Sequence, residues 1–278
     1  MESGSAQEYP FSHHPCWAEC RKDLWERIHL PVARRCNVKC YFCDNSLGNS
    51  CHSSKPGSAA SVLAPNVAIN KLREEIRARP RLKIVGISGP GEPLANQETF
   101  EVIDYVSDRI PNIRLCVSTN GVLLAERVKE LRRYNVETIS VSLSTINAKT
   151  AQRIYEWAKI DGQILTGEPM GKKIIEKQLA GIQQAVKAGI RVKVNTILIP
   201  SVNVEEMEEI SKKLYLLGVS LQNIVPLVPW ARMATFKKPE SKMLIHARAI
   251  AGEYLQQFKH CHQCRSDVVG IPGNDTVL

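Results

Sequence analysis

Nowhere does the sequence hold an apolar run of the roughly eighteen residues that a membrane-crossing helix requires, so no such span is expected. Its opening stretch, Met1 to Glu8, is polar and lacks a signal-peptide core, which points to the cytoplasm. Charge is not concentrated either. The net charge of +9 is scattered over amphipathic segments such as Lys71, Arg73, Arg77 and Arg79, which read as solvated helix faces, so nucleic acid is not an expected partner. A basic interior that receives anionic clusters is an equally good use of that charge.

What the chain does have is 278 residues, 44% of them hydrophobic, enough to bury the core of one barrel-sized domain. It also has nine cysteines. In a reducing compartment these are free thiols available to metal. Three of them, Cys36, Cys40 and Cys43, form a CxxxCxxC loop with Phe42 just before the third. Thiols packed this tightly on one loop face a common point and suit a soft metal cluster better than a disulfide framework. A zinc site would normally close on four ligands, and a ferredoxin run would have a shorter first spacing.

A strand–helix alternation organises the rest. Arg27 to Ala33 reads as a short buried strand delivering the cysteine loop, and Asp44 to Pro65, which carries Cys51, reads as a functional loop. Five more strands are expected at Leu82 to Ser88, Ile113 to Ser118, Glu137 to Leu143, Ile190 to Ile199 and Ser220 to Val228. Helices are expected between them: one capped by Asn66, others near Glu98 to Arg109 and Leu124 to Tyr134, a helical stretch after the fourth strand, and a long helix from Gly171 stopped by Gly189. Further helices are expected at Val204 to Leu217 and Ser241 to Phe258. This pattern implies a parallel α/β sheet with right-handed crossovers. If it curls as a partial (β/α)6 barrel, chemistry belongs at the carboxyl ends of the strands. The expected organisation is an N-terminal extension (1–26), a barrel (27–258) and a CxxC tail (259–278), forming one structural domain.

The motifs converge on that rim. Gly89-Pro90-Gly91-Glu92-Pro93 follows the second strand and Ser118-Thr119-Asn120-Gly121 the third. The glycines allow close backbone approach and Glu92 offers a carboxylate, although a tight strand-to-helix turn has the same look. Asn120, Ser142 and Asn195 lie at or near strand ends, and Ile197 beside them is apolar. Of the remaining cysteines, Cys116 sits near the end of the third strand and Cys261-His262-Gln263-Cys264 makes a second CxxC. A zinc site of Cys16, Cys20, Cys261 and Cys264 joining the termini competes with additional iron–sulfur clusters.

The CxxxCxxC loop resembles that of the radical S-adenosylmethionine (SAM) enzymes. In that superfamily three cysteines, here Cys36, Cys40 and Cys43, hold a [4Fe-4S] cluster whose open iron chelates SAM. Reduction of the cluster cleaves the sulfonium to a deoxyadenosyl radical. The resemblance implies SAM contacts from Phe42, Gly89, Gly91, Glu92, Asn120, Ser142, Asn195 and Ile197.

A narrower resemblance rests on His14-Pro15-Cys16, Arg27-Ile28-His29-Leu30-Pro31-Val32-Ala33, the Gly89 to Ala95 segment, Cys116-Val117-Ser118-Thr119-Asn120-Gly121, Lys193-Val194-Asn195-Thr196 and His260 to Asp267. Together they are similar to the NifB family of nitrogenase cofactor maturases, over nearly the whole chain. This resemblance implies a fusion of two further [4Fe-4S] clusters, as substrates, with a SAM-derived carbide and an added sulfur. One SAM would donate a methyl group and a second would yield the radical that abstracts hydrogen from it. Cys16, Cys51, Cys116, Cys261 and Cys264 would hold substrate iron, with His14, His29 or His260 completing a set.

Partners implied are iron–sulfur cluster donors, a low-potential electron donor and a downstream carrier or scaffold of nitrogenase assembly. The chain ends at Leu278 without a carrier-like extension, so a separate carrier is expected. Departures from the family pattern are a longer segment before Cys51, Ser54 in place of an acidic residue, Ser144, Asn147 and Lys149 at commonly Asn, Asp and Glu positions, and Cys20. Competing expectations are a radical SAM enzyme of another substrate class and a non-enzymatic metal scaffold.

Overall fold

The structure, a computed structural model, describes residues 8–44, 47 and 56–278. Cys51 and the departures at 53–55 lie outside the described residues. In chain order the elements are β1 (Glu26–His29), β2 (Val38–Cys40), α1 (Pro65–Ala78), β3 (Leu82–Ile87), α2 (Gln97–Arg109), β4 (Arg114–Thr119), α3 (Leu124–Arg133), β5 (Val136–Ser142) and α4 (Ala148–Ala151). There follow β6 (Tyr155–Ile160), β7 (Gln163–Leu165), α5 (Gly167–Lys187), β8 (Arg191–Leu198), α6 (Met207–Leu216), β9 (Leu221–Pro226), α7 (Ser241–Gly252), β10 (Val268–Ile271) and β11 (Asn274–Val277).

Six of these strands pair in parallel in the order β1-β3-β4-β5-β8-β9, with helices in the crossovers. This is the partial (β/α)6 sheet that the strand–helix alternation requires. Apolar residues such as Leu82, Val85, Ile87, Val117, Ile139, Val192 and Val194 pack against the inner faces of the helices in the main core. Many of the side chains facing the other way are polar or small, among them Arg27, His29, Gly86, Cys116, Ser118, Ser140, Lys193, Asn195 and Asn223, interspersed with Ile84, Ile197 and Val225. A packed barrel would fill that space with branched apolar side chains. This one leaves a lined cavity.

Three local departures follow from the chain's own chemistry. Where a helical stretch is expected after the fourth strand, only the single turn of α4 forms, and β6 and β7 then make an antiparallel hairpin. Its turn is Asp161-Gly162, both at positive φ (50° and 82°), the backbone that a two-residue hairpin turn demands. Helix α1 begins with Pro65 at its first turn rather than with an Asn66 cap, because proline's fixed φ suits that position. Finally, the tail forms the β10–β11 hairpin, and β10 pairs antiparallel with β1, extending the main sheet.

The N-terminal segment is an aromatic plug. Tyr9 and His13 each stack on Trp25, with ring centroids 5.7 and 4.9 Å from it, and Trp17 packs with Leu221 and Phe258. Arg114, at the start of β4, places its guanidinium 5.0 Å from the Tyr9 ring centroid. The plug therefore lies at the end of the barrel opposite the cysteine loop.

Candidate functional site

The cysteine loop is held by backbone rather than left free. β2 pairs antiparallel with β6, Tyr41 N–H donates to the Ile154 carbonyl at 2.9 Å, and Lys159 N–H donates to the Asn37 carbonyl at 2.7 Å. Cys40, Tyr41 and Phe42 pack on a second apolar cluster that includes Val38, Tyr155 and Ile174. Burial, then the nearby Glu92 carboxylate, pushes the Cys36 thiol up to about 12, with Cys43 adding to the effect. Cys40 is raised well above its usual range by burial and by Cys43 and Cys36. Three thiols crowded in a low dielectric resist ionising together unless cations join them. Asn120 Nδ2 lies 4.0 Å from Cys36 Sγ and donates to Asn37 Oδ1 at 2.8 Å.

The glycine-rich turn after β3 is pressed onto this loop. Gly91 N–H donates to the Ala33 carbonyl at 2.6 Å and Glu92 N–H to the Arg35 carbonyl at 2.9 Å. A Cβ on Gly91 would stand 2.4 Å from the Arg35 carbonyl oxygen. Close approach is thus needed at Gly91, where the chain's own backbone already stands. At Gly89 a Cβ would stand 2.7 Å from Ser266 Oγ of the tail.

Glu92, expected to offer its carboxylate at the rim, turns inward instead. It is 3% exposed and accepts from Leu94 N–H at 3.0 Å, Thr119 Oγ1 at 2.5 Å and Asn120 N–H at 2.6 Å. Burial pushes it up to about 7, and those three donors hold it from rising further. Its work is to tie the turn after β3 to the turn after β4.

Beneath the loop lies a cavity of about 290 Å³ lined by His14, Cys16, Cys116, Cys261 and Cys264, with Phe42, Ser142, Asn195 and Ile197 nearer the loop. A neighbouring space of about 140 Å³ shares Phe42 and Ile197 and reaches Cys43 and Pro90. Cys43 of the loop and four thiols far from it in sequence therefore line two spaces that share wall residues. Cys116 is deeper than its expected place near a strand end, being the third residue of the six in β4. Asn195 accepts from Asn223 Nδ2 at 2.8 Å.

The histidines divide by hydrogen bonding. His14 Nδ1 accepts the Cys16 backbone N–H at 3.1 Å, so its proton sits on Nε2, which is buried and has no partner. His29 Nδ1 donates to the Arg265 carbonyl at 3.0 Å, which leaves the Nε2 lone pair for the cavity. That is the arrangement of a metal-ligating imidazole. Burial first, then Arg27, lowers His29 to about 3 and keeps it neutral. His260, the third candidate, contacts Glu19 at 3.3 Å.

Of the four thiols of the expected zinc site, Cys16, Cys261 and Cys264 share the cavity lining and Cys20 does not. Cys20 is exposed and outside the cavity lining, and among the described residues no three His, Cys, Asp or Glu side chains converge on a single-ion site. Sequence reasoning about motifs passed over two cavity residues, Arg27 and Lys193, whose charge on inward strand positions was the available signal. Arg27 is fully buried, ion-paired to Asp275 and donating to the Gly270 carbonyl at 2.6 Å.

Residues 30–214 match the model of the radical SAM superfamily. The chain is 37% identical over 273 residues to the FeMo cofactor biosynthesis protein NifB of Methanocaldococcus infernus, covering 98% of this chain and 89% of that one. It is 39% identical over 258 residues to the protein of the same name from Methanocaldococcus jannaschii, covering 93% and 86%. The chain belongs to the NifB family. Its fold is shared with the crystal structure of a radical SAM methyltransferase from Sphaerobacter thermophilus, at a TM-score of 0.60 and 21% identity, over 84% of this chain and 65% of that one.

As a NifB-family member the chain is a radical SAM enzyme, with which a [4Fe-4S] cluster and SAM go together. The donor set fits such a cluster: three crowded thiols on one strapped loop, with an amide donor turned toward Cys36. Two departures from the NifB pattern have local structural work here. Ser144 Oγ accepts the Ile197 N–H at 3.1 Å, and Asn147 Oδ1 caps α4 by accepting from Lys149 N–H and Thr150 N–H. Among the described residues no helix is long and apolar enough to cross a membrane.

Proposed function

We propose that this chain acts in FeMo cofactor biosynthesis by joining two [4Fe-4S] clusters, with a SAM-derived carbide and an added sulfur, into the eight-iron precursor of the nitrogenase cofactor. One arrangement supports this reading above the others: the Cys16, Cys116, Cys261 and Cys264 thiols line a single cavity whose wall includes Phe42 of the CxxxCxxC loop. A radical SAM enzyme acting on an organic substrate would use such thiols for auxiliary clusters that relay electrons and stay intact, so the two readings part on whether the clusters fuse. In this reading Cys36, Cys40 and Cys43 hold the resident cluster, which supplies reductive cleavage of SAM to a deoxyadenosyl radical.

The chain's own residues then have separable tasks. Phe42 and Ile197 wall the passage between the two spaces and exclude water from it. Ser142 and Asn195 present polar groups to the bound nucleoside. Gly89, Gly91 and Glu92 shape the shelf by fixing the turn against the loop, and Asn120 tunes Cys36 through its amide. Cys16, Cys116, Cys261 and Cys264 hold substrate iron, Cys51 is assigned to the same task by resemblance alone, and His29 supplies a neutral nitrogen. Fewer protein ligands than irons leaves the product free to depart. The reaction calls for iron–sulfur cluster donors, a low-potential electron donor and a downstream carrier or scaffold, in a cytoplasm that keeps thiols reduced.

An anaerobic iron count on reconstituted protein tests the reading, with deoxyadenosine and S-adenosylhomocysteine quantified after SAM addition. About twelve irons per chain, as three four-iron clusters require, together with both products, supports it. About four irons with deoxyadenosine alone overturns it.

A further inference from the structure

The cavity contains a charge that the assignments above leave unused. Lys193 lies on β8, 4% exposed, between Ser140 of β5 and Leu221 of β9 on the neighbouring strands. Its Nζ donates to the Cys16 carbonyl at 2.8 Å and stands 5.6 Å from the Trp17 ring centroid and 5.3 Å from that of Phe258. Among the described residues it makes no ion pair with a carboxylate, and none of those lining the cavity is Asp or Glu. The cavity's other buried cation, Arg27, is already paired to Asp275.

A carbonyl dipole and two ring faces stabilise an ammonium, but they do not cancel its charge. A desolvated cation left without a counter-ion costs several kcal/mol, so a fold that keeps one in a cavity is completed by an anion there. The side chains beside it name that anion. Cys16 is the residue whose carbonyl Lys193 holds, Cys116 lines the same cavity, and a four-iron cubane bound by two thiolates becomes anionic on taking up an electron or a third thiolate.

Resting on the reading above, we infer that Lys193 is the positioning residue for the iron–sulfur cluster carried by Cys16 and Cys116. Its hydrogen bond fixes the backbone of Cys16, and its ammonium supplies the counter-charge that retains the cluster. A purely structural lysine, clamping the aromatic plug to the barrel, would do the first and not the second.

The test compares Lys193→Met and Lys193→Arg with wild type, all reconstituted anaerobically. Two readouts are taken: the midpoint potential of the auxiliary clusters by redox titration with electron paramagnetic resonance, and the rate at which a chelator strips auxiliary iron. The signal of the SAM cluster in the same sample is the internal reference. In Lys193→Met the auxiliary potential should move to a more negative value, since an added electron loses a nearby cation, and iron should be stripped roughly tenfold faster. Lys193→Arg should restore both.

An unchanged potential and stripping rate in Lys193→Met overturns the inference. If Lys193→Met also loses the SAM cluster, Lys193→Arg decides: wild-type potential and retention support the counter-charge, while a shifted potential with fast stripping overturns it. Wild-type protein holding only the SAM cluster overturns the functional reading itself, and the inference with it.

Discussion

The backbone N–H of Asn120 donates to Glu92 Oε2 at 2.6 Å, so the turn after β4 is bonded to a carboxylate buried in the turn after β3. Asn120 also reaches Cys36 Sγ with its side-chain amide. Three consecutive loops on the rim are thereby joined through two residues, and disturbing either is felt at the cluster loop.

Glu92→Gln tests the buried carboxyl. Its native pKa, near 7, lies above the usual carboxylate value, so the native state binds the extra proton. Stability from this group is complete below the unfolded pKa and is lost as pH rises toward 7. Urea midpoints of wild type and Glu92→Gln, taken from pH 4.5 to 8, should differ by a term that falls by roughly 2 to 4 kcal/mol over that window. A pH-independent difference would place the carboxyl outside the native titration.

Gly91→Ala places a methyl group 2.4 Å from the Arg35 carbonyl oxygen. Backbone cannot swing aside as a long side chain would, so the cysteine loop must shift. The expected result is a loss of about 2 kcal/mol of stability and incomplete loading of the SAM cluster, read by thermal melting and iron count. Full iron with an unchanged melt would show that the two loops can separate freely.

Cys116→Ala should remove auxiliary iron while leaving reductive SAM cleavage measurable, because the thiol lies deep on β4 and away from the loop of Cys36, Cys40 and Cys43. Iron analysis and deoxyadenosine yield on one preparation check this. Loss of the SAM cluster alone would reverse the ligand assignment.

His29→Ala and His14→Ala should part company. The first removes a neutral nitrogen whose lone pair faces the cavity, so nitrogen hyperfine coupling should vanish from the auxiliary-cluster spectrum. The second removes the acceptor of the Cys16 N–H and should cost about 1 to 3 kcal/mol while keeping that coupling. Coupling that survives in His29→Ala and vanishes in His14→Ala would invert the pair.

Much of this architecture is legible in the chain. Alternation of apolar strands with amphipathic helices places six parallel strands within a residue or two of where they form, except that the first ends at His29 and hands over to irregular chain. Membership of the family is written in short motifs, and the fold and enzyme class follow from it. Orientation is what local pattern does not carry. Glu92 reads as an offered carboxylate because its neighbours are glycines, yet only the approach of Thr119 and Asn120 decides which way it turns. The tautomers of His14 and His29 are likewise set by Cys16 and Arg265, the latter remote in sequence. The Asp161-Gly162 turn is a local signal for the β6–β7 hairpin, which a reading of strict strand–helix alternation passes over.

The pairing of β10 with β1 has a consequence for how the chain comes into being. β1 leaves the ribosome early and its antiparallel partner late, after every other strand of the parallel sheet has been made. Throughout that interval one side of β1 is a bare row of backbone donors and acceptors, open to mispairing with neighbouring chains. The same late segment brings Asp275 to Arg27, and the Cys261–Cys264 stretch just ahead of it completes the cavity wall. A nascent chain can therefore form its cysteine loop long before the cavity behind it has a complete wall, and that space closes only once translation has passed the final hairpin.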